Sequence, residues 1–214
     1  MKDYDAYLFD WDGTLADSSY VWLQIVRAEL AKRGLTPADP EIMAALGDWQ
    51  HMLELGLPPE ELVSFSATAH RHATEQLPDA PLFPNARDVP LRLKQQGKKI
   101  AVVTAMPRHI VDSMLRHHAM QDTFDAVISS SEVQAMKPDP EGIFLALSHL
   151  GVTPSQKVIM FGDTVRDLRA ARNAGIQSAL FSPSEHEQLH DTAVLQACLP
   201  TYTFTAWQTV LDQL

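Results

Sequence analysis

The sequence predicts an α/β fold, a parallel sheet covered by helices and interrupted after its first strand by an all-helical insertion. Three observations predict it. Four short segments rich in apolar and β-branched residues, Ala6 to Phe9, Ile100 to Val103, Ala126 to Ile128 and Val158 to Phe161, lack the polar alternation of a half-solvated strand. Strands buried on both faces read this way. Helical stripes separate the later ones, Ile110, Val111, Met114 and Leu115 in one, Ile143, Phe144, Leu147 and Leu150 in the next. Residues 16 to 83 carry helical spacing and no strand run.

Taken in order, the first strand leads into the insertion, where Trp22, Ile25, Val26 and Leu30 mark one helix. Glu41 to Leu46 and Glu60 to Glu75 mark two more, punctuated by Pro37, Pro40, Pro58, Pro59, Pro78 and Pro81. The β-α rhythm resumes after Pro84. Met106-Pro107 and Asp139-Pro140 offer helix starts, the second with a carboxylate cap. Gly151 and Gly175 stand where helices stop. Ser178 to Leu180 and Tyr202 to Phe204 are weaker strands, before a closing helix around Trp207 to Leu211. The expected division is a catalytic core of residues 1–15 and 84–214 and a helical cap of residues 16–83.

Composition narrows the function classes. The 214 residues are 45% hydrophobic and 21% charged, an ordinary globular balance that supports a sizeable core. A net charge of −10 disfavours a sequence-independent grip on nucleic acid or anionic membranes. The single Cys198 and the absence of a secretory-type apolar stretch near Lys2, Asp3 and Asp5 fit a reducing, cytoplasmic setting. No apolar run approaches the ~18 residues of a membrane span. The expected partner is a small molecule, with neither nucleic acid nor membrane, and the expected state is a monomer.

In an open parallel sheet, ligands bind beyond the carboxyl ends of the strands. Those positions are polar here: Asp10-Trp11-Asp12-Gly13-Thr14 after the first strand, Thr104 after the second, Lys137-Pro138 beyond the third, and Gly162-Asp163 with Asp167 after the fourth. Clustered carboxylates in a low-dielectric cleft repel one another and call for a cation or for protonation. An oxygen-only set suits Mg²⁺, which commonly completes its shell with substrate phosphate. Taken singly, each motif has an ordinary explanation: an Asp-Gly turn, a helix cap, a solvated loop or a surface ion pair. Jointly, four such explanations must all hold.

Asp10-x-Asp12-Gly13-Thr14-Leu15, Thr104 after Ile100-Ala101-Val102-Val103, Lys137-Pro138-Asp139-Pro140 and Gly162-Asp163-Thr164-x-x-Asp167 together resemble the haloacid dehalogenase superfamily of phosphohydrolases, in its phosphoglycolate phosphatase and β-phosphoglucomutase-like branch. The resemblance covers about residues 5 to 180 and implies a Rossmann-like core with a helical cap. It implies that Asp10 is the nucleophile, forming an aspartyl phosphate, and that Asp12 protonates the leaving alkoxide and then activates water. It implies that Mg²⁺ is held by Asp10, the Asp12 carbonyl and Asp163, with Asp167 a further ligand or a partner one step removed. Thr104, with the amides of Ala105 and Met106 at a helix start, would bind phosphoryl oxygens. Lys137 would neutralise the charge shared by Asp10 and the phosphoryl group.

Gly47-Asp48-Trp49-Gln50-His51 resembles a cap loop that closes over the leaving group, with Gly47, Trp49 and His51 as substrate contacts; the alternative is an ordinary interhelical connection. His70-x-His72 and His117-His118 lack zinc-site spacing and read as surface side chains, and Trp22 reads as helix core. Arg27, Lys32 and Arg33 read as a solvated face. The expected activity is Mg²⁺-dependent hydrolysis of a small phosphorylated metabolite, a sugar phosphate or phosphoglycolate. A sugar phosphomutase with the same aspartyl phosphate is the alternative. A signalling receiver domain shares the Asp, Thr and Lys-Pro but orders them differently, and an idle scaffold would not need the full set.

Overall fold

A computed structural model describes residues 2–46, 48–186 and 192–214. Six strands, β1 (Ala6–Phe9), β2 (Lys99–Val103), β3 (Ala126–Ile128), β4 (Val158–Gly162), β5 (Gln177–Phe181) and β6 (Tyr202–Phe204), form one sheet in the order β3-β2-β1-β4-β5-β6. Every pairing is parallel. The chain therefore starts in the middle of the sheet and builds outward in two directions, and the switch lies at the end of β1.

Side chains alternate between faces along a strand, and both faces are dry. Tyr7, Phe9, Ile100, Val102, Ile159 and Phe161 enter one apolar cluster, while Ala6, Leu8, Ala101, Val103, Val158 and Met160 enter the other. That is why these strands read as continuous apolar runs. Helices α4 (Asp88–Gln95), α5 (Arg108–His117) and α9 (Trp207–Leu211) contribute to the first cluster, and α6 (Glu141–Leu150) and α7 (Val165–Asn173) to the second. The first face is aromatic. Phe9 stacks on Phe161 at 5.2 Å, and Trp207 lies 5.1 Å from Phe181. A short helix, α8 (Thr192–Ala197), packs Leu195 against Leu168 and Leu180.

Between β1 and α4 runs a helical segment of α1 (Ser19–Ala31), α2 (Asp39–Ala45), α3 (Leu62–Gln76) and short 3₁₀ turns. It has its own apolar cluster, with Leu23, Val26, Leu30, Ile42, Met52 and Phe65 buried together. Its entry and exit run side by side: Asp17 N–H donates to the Pro81 carbonyl at 2.8 Å and Phe83 N–H to the Leu15 carbonyl at 3.0 Å. His186, buried beyond β5, brings Nε2 to 2.9 Å from Asp17 Oδ1 at the same junction.

Helix boundaries differ from the sequence expectation at two prolines. Pro140 is the flanking residue of α6 rather than its first helical position, and Asp139 accepts from the Glu141 amide. Likewise Pro107 has extended ψ, 146°, so α5 begins at Arg108 and leaves Ala105 and Met106 in the preceding turn. Gly151, at φ +67°, ends α6 as expected.

Candidate active site

The site grows from the loop after β1. The Asp10 amide continues the sheet ladder by donating to the Phe161 carbonyl at 2.9 Å, so Asp10 leaves β1 in strand register. The chain then folds back on itself: the Leu15 and Ala16 amides both donate to the Trp11 carbonyl, at 3.0 and 2.9 Å. Gly13 makes the turn at φ +71°, where a Cβ would also lie 2.3 Å from Asp163 Oδ2. Trp207 Nε1–H donates to the Thr14 carbonyl at 2.9 Å, so a residue almost 200 positions away pins the loop from beneath. Nothing in the local sequence marks Trp207 for this role.

Asp163 and Asp167 arrive from β4 and α7. Thr14 Oγ1–H donates to Asp163 Oδ1 at 2.9 Å. Asp167 is held on both oxygens: Oδ2 accepts from the Thr164 amide at 3.1 Å and hydroxyl at 2.5 Å, Oδ1 from Lys137 Nζ at 2.5 Å. Gly162 makes this approach possible, because a Cβ there would sit 2.2 Å from Asp167 Cβ. Lys137 donates further to Asp10 Oδ1 at 2.8 Å and the Val103 carbonyl at 3.0 Å. All three ammonium protons are thus used.

Oxygens of Asp10, Asp163 and Asp167, all buried, lie within 4.8 Å of one another. Burial raises Asp10 to about 7, Lys137 opposing it. Asp163 is driven well above the usual carboxylate range by burial and then by Asp167 and Asp10. Burial acts upward on Asp167 too, but the charge and hydrogen bonds of Lys137 and Thr164 hold it low. Lys137 stays charged despite burial because Asp10 and Asp167 face it. Three carboxylates against one ammonium make an oxygen-only set suited to a hard divalent cation.

Asp12 stands apart from this cluster. Its Oδ1 accepts from Ser18 Oγ at 2.5 Å, and the Trp22 side chain also donates to it. Burial nevertheless raises Asp12 to about 6. Thr104 is buried beside β3, its amide donating to the Ile128 carbonyl at 2.9 Å, and its Oγ1 accepts from the Met106 amide at 3.1 Å. That geometry occupies the Met106 amide and leaves the Thr104 hydroxyl proton available.

Asp10, Asp12, Asp163, Thr104, Ala105 and Lys137 all line one cavity of about 670 Å³, which opens toward the helical segment. Asp167 lies just behind its wall, bonded to Lys137. Of the loop residues singled out in the sequence, Trp49 lines the cavity, together with Asp48 and Gln50. His51 does not. In the 3₁₀ turn Trp49–Leu53 successive side chains diverge by a third of a turn; Met52 enters the helical core and His51 is exposed. Gly47 lies outside the described residues. One expectation is corrected and one extended: His70, read as a surface side chain, lines the cavity, and Trp22, which packs against the core as expected, lines it too. Their spacing alone cannot distinguish a core stripe from a cavity wall.

A doubly wound parallel sheet with buried carboxylates and a lysine whose protons are all engaged at its switch point defines an α/β protein with a polar site where ligands of such sheets bind. The sequence profile of the haloacid dehalogenase-like hydrolases matches residues 7–181, and the chain belongs to that family. It is an enzyme, a phosphoric monoester hydrolase. Among curated proteins it is 28% identical to pyrophosphatase PpaX of Bacillus cereus over 91% of this chain and 89% of that one. It is 30% identical to phosphoglycolate phosphatase of Psychrobacter arcticus over 82% of each. The crystal structure of a candidate phosphoglycolate phosphatase from Lactobacillus plantarum superposes with a TM-score of 0.85 over 100% of both chains at 24% identity, a likeness of fold.

Proposed function

We propose that the chain hydrolyses a small phosphorylated metabolite through an aspartyl phosphate on Asp10, with a divalent metal, Mg²⁺, at the carboxylate cluster. The observation that carries the reading is the separation of Asp10 and Asp12: one sits in the metal-suited cluster, the other outside it on Ser18 and Trp22. Two carboxylates in unlike surroundings suit two unlike roles. Asp10 attacks phosphorus while Asp12 delivers a proton to the leaving oxygen; Asp12, now ionised, then takes a proton from the water that cleaves the acyl phosphate. A carboxyl raised to about 6 is fitted to that exchange near neutral pH.

Asp10, Asp163 and the Asp12 carbonyl would hold the metal, which would supply positive charge to the phosphoryl oxygens. Both oxygens of Asp167 already accept hydrogen bonds, so its role is to position Lys137 and complete the charge of the site. Lys137 acts by its field, since its protons are engaged. Thr104 donates its hydroxyl to the phosphoryl group beside the Ala105 amide. Residues 16–83 act as a cap that excludes water and meets the leaving group. No described helix is long and apolar enough to cross a membrane.

The test is phosphate release from a panel of phosphorylated metabolites with and without Mg²⁺, for the native chain and Asp10→Asn. Metal-dependent release lost in Asp10→Asn is the expected result, with circular dichroism unchanged. Equal turnover by Asp10→Asn, with deamidation excluded by mass, would refute the aspartyl phosphate. An isomeric sugar phosphate in place of free phosphate would identify a mutase.

A further inference from the structure

The two linkers of the helical segment lie side by side as a strap. Asp17 and Pro81 are joined through the backbone, as are Phe83 and Leu15, and Ala16 pairs antiparallel with Leu82 between them. Up to Ala16 the chain is held by the loop after β1: the Ala16 amide donates to the Trp11 carbonyl, and the Ala16 carbonyl accepts from the Gly13 amide, both at 2.9 Å. At Asp17 the amide turns instead to the returning linker.

His186 meets the strap at this point. It comes from the 3₁₀ turn Ser184–His186 after β5, and its side chain is buried. Nε2 lies 2.9 Å from Asp17 Oδ1. A carboxylate only accepts, so the proton of this bond is on the imidazole. The ring stands edge to face on Phe83 at 5.4 Å and on Tyr20 at 5.2 Å. One core side chain therefore touches the outgoing linker, the returning linker and the first turn of α1. Packing alone does not account for a histidine here. Nδ1 is buried without a hydrogen-bond partner among the described residues, a cost that a phenyl ring filling the same space would avoid. What the imidazole adds is one directional bond to Asp17.

Beyond Asp17 the strap feeds straight into the site. Ser18, the next residue, donates through Oγ to Asp12 Oδ1 at 2.5 Å, and its carbonyl accepts from the Trp22 amide at 3.1 Å as α1 begins. The Trp22 side chain also donates to Asp12. Both donors thus hang from the segment that His186 holds. Resting on the reading of Asp12 as proton donor above, we propose that His186 is a positioning residue: by clamping Asp17 it fixes the strap and, through Ser18 and Trp22, the Asp12 carboxyl that serves the leaving oxygen.

The test separates the bond from the packing. His186→Phe keeps a ring and removes the donor, His186→Gln keeps an N–H donor, and Asp17→Ala removes the acceptor. The first readout needs no substrate: amide hydrogen exchange with Mg²⁺ present. His186→Phe and Asp17→Ala are each expected to speed exchange at the Asp17 and Phe83 amides by about tenfold, with Asp10 and Thr104 in the sheet ladder unchanged and the double variant no faster. The second readout is kcat/KM for glycerol 2-phosphate beside p-nitrophenyl phosphate, whose leaving group departs with little need of a proton. His186→Phe is expected to lower the first by about tenfold and the second by under about threefold, and His186→Gln to return both toward native values. Native exchange at Asp17 and Phe83 in His186→Phe, faster exchange throughout the sheet, equal losses on the two esters, or a glutamine variant no better than phenylalanine would overturn the proposal. If the native chain released no phosphate from either ester or from acetyl phosphate, the phosphatase reading would fail, while exchange at Asp17 and Phe83 would still decide the clamp.

Discussion

Lys137 donates to Asp10, Asp167 and the Val103 carbonyl at once, and its side chain is almost wholly buried. Removing it strands two carboxylates in a dry site, a change that costs on the order of 3–5 kcal/mol when one member of a buried pair is lost. Lys137→Met is expected to lower stability by about that amount and to abolish turnover, read from a denaturant midpoint alongside phosphate release. A midpoint within about 1 kcal/mol of native stability would show that the ammonium contributes little to holding the carboxylates. Gly162→Ala is expected to be comparably severe, because its Cβ would collide with Asp167 Cβ and both atoms belong to rigid backbone neighbours. Wild-type melting of Gly162→Ala would count against this close approach. At this scale the candidate residues Asp10, Thr104 and Asp163 were legible in the sequence because each directly follows a recognisable strand, whereas Lys137 stands nine residues beyond β3 and was legible only through its motif. Trp207, Trp22 and His70 were not, because their importance depends on which side chains face one another after packing.

Among the elements, α7 shows how a site residue can be fixed by secondary structure. Thr164 caps the helix by accepting from the Asp167 amide, and Asp167 returns the bond to the Thr164 amide, so the capping box also sets the carboxylate that holds Lys137. Thr164→Val is expected to cost about 1 kcal/mol and to reduce kcat more than the stability loss alone would suggest. Thermal melting and steady-state kinetics on one preparation check it; an unchanged kcat would mean that Asp167 keeps its place without the cap. The strands and long helices were readable from apolar runs and spacing. The 3₁₀ turn Trp49–Leu53 was not, and His51 was placed on the wrong side for that reason, since five residues give no periodicity from which to infer a facing. The starts of α5 and α6 moved because a proline without an amide proton can stand just outside a helix as well as just inside it.

For the molecule as a whole, raised carboxylates reverse the usual pH dependence. Asp10 at about 7 and Asp12 at about 6 bind protons in the folded chain that the unfolded chain, near 3.8, has released. Their contribution to stability is therefore full below about pH 4 and declines as pH rises toward 7. The half-buried His70 and His118 act oppositely, because burial holds them below the ordinary histidine value and unfolding therefore takes up protons there. A divalent cation isolates the carboxylate contribution, because it binds once they ionise. The rise in Tm on adding Mg²⁺ is expected to be larger at pH 8 than at pH 5.5, measured by differential scanning calorimetry. An equal rise at both would argue against Asp10 and Asp163 as the binding groups.

The strand order carries a consequence for biosynthesis. β1 lies between β2 and β4, and Thr14 reaches its partner Asp163 across 149 residues. At roughly 5–20 residues per second, a ribosome delivers that partner on the order of ten seconds after Thr14 itself. The helices of residues 19–76 draw mainly on neighbours in the chain and can assemble during that wait. Meanwhile the Ala-Tyr-Leu-Phe strand beside them has both edges open until β2 emerges and one edge open until β4 does. The nascent protein thus passes through an interval in which a finished helical lobe trails a sticky, unpaired ribbon. Chaperone engagement during translation is expected to concentrate there and to end when β4 leaves the exit tunnel.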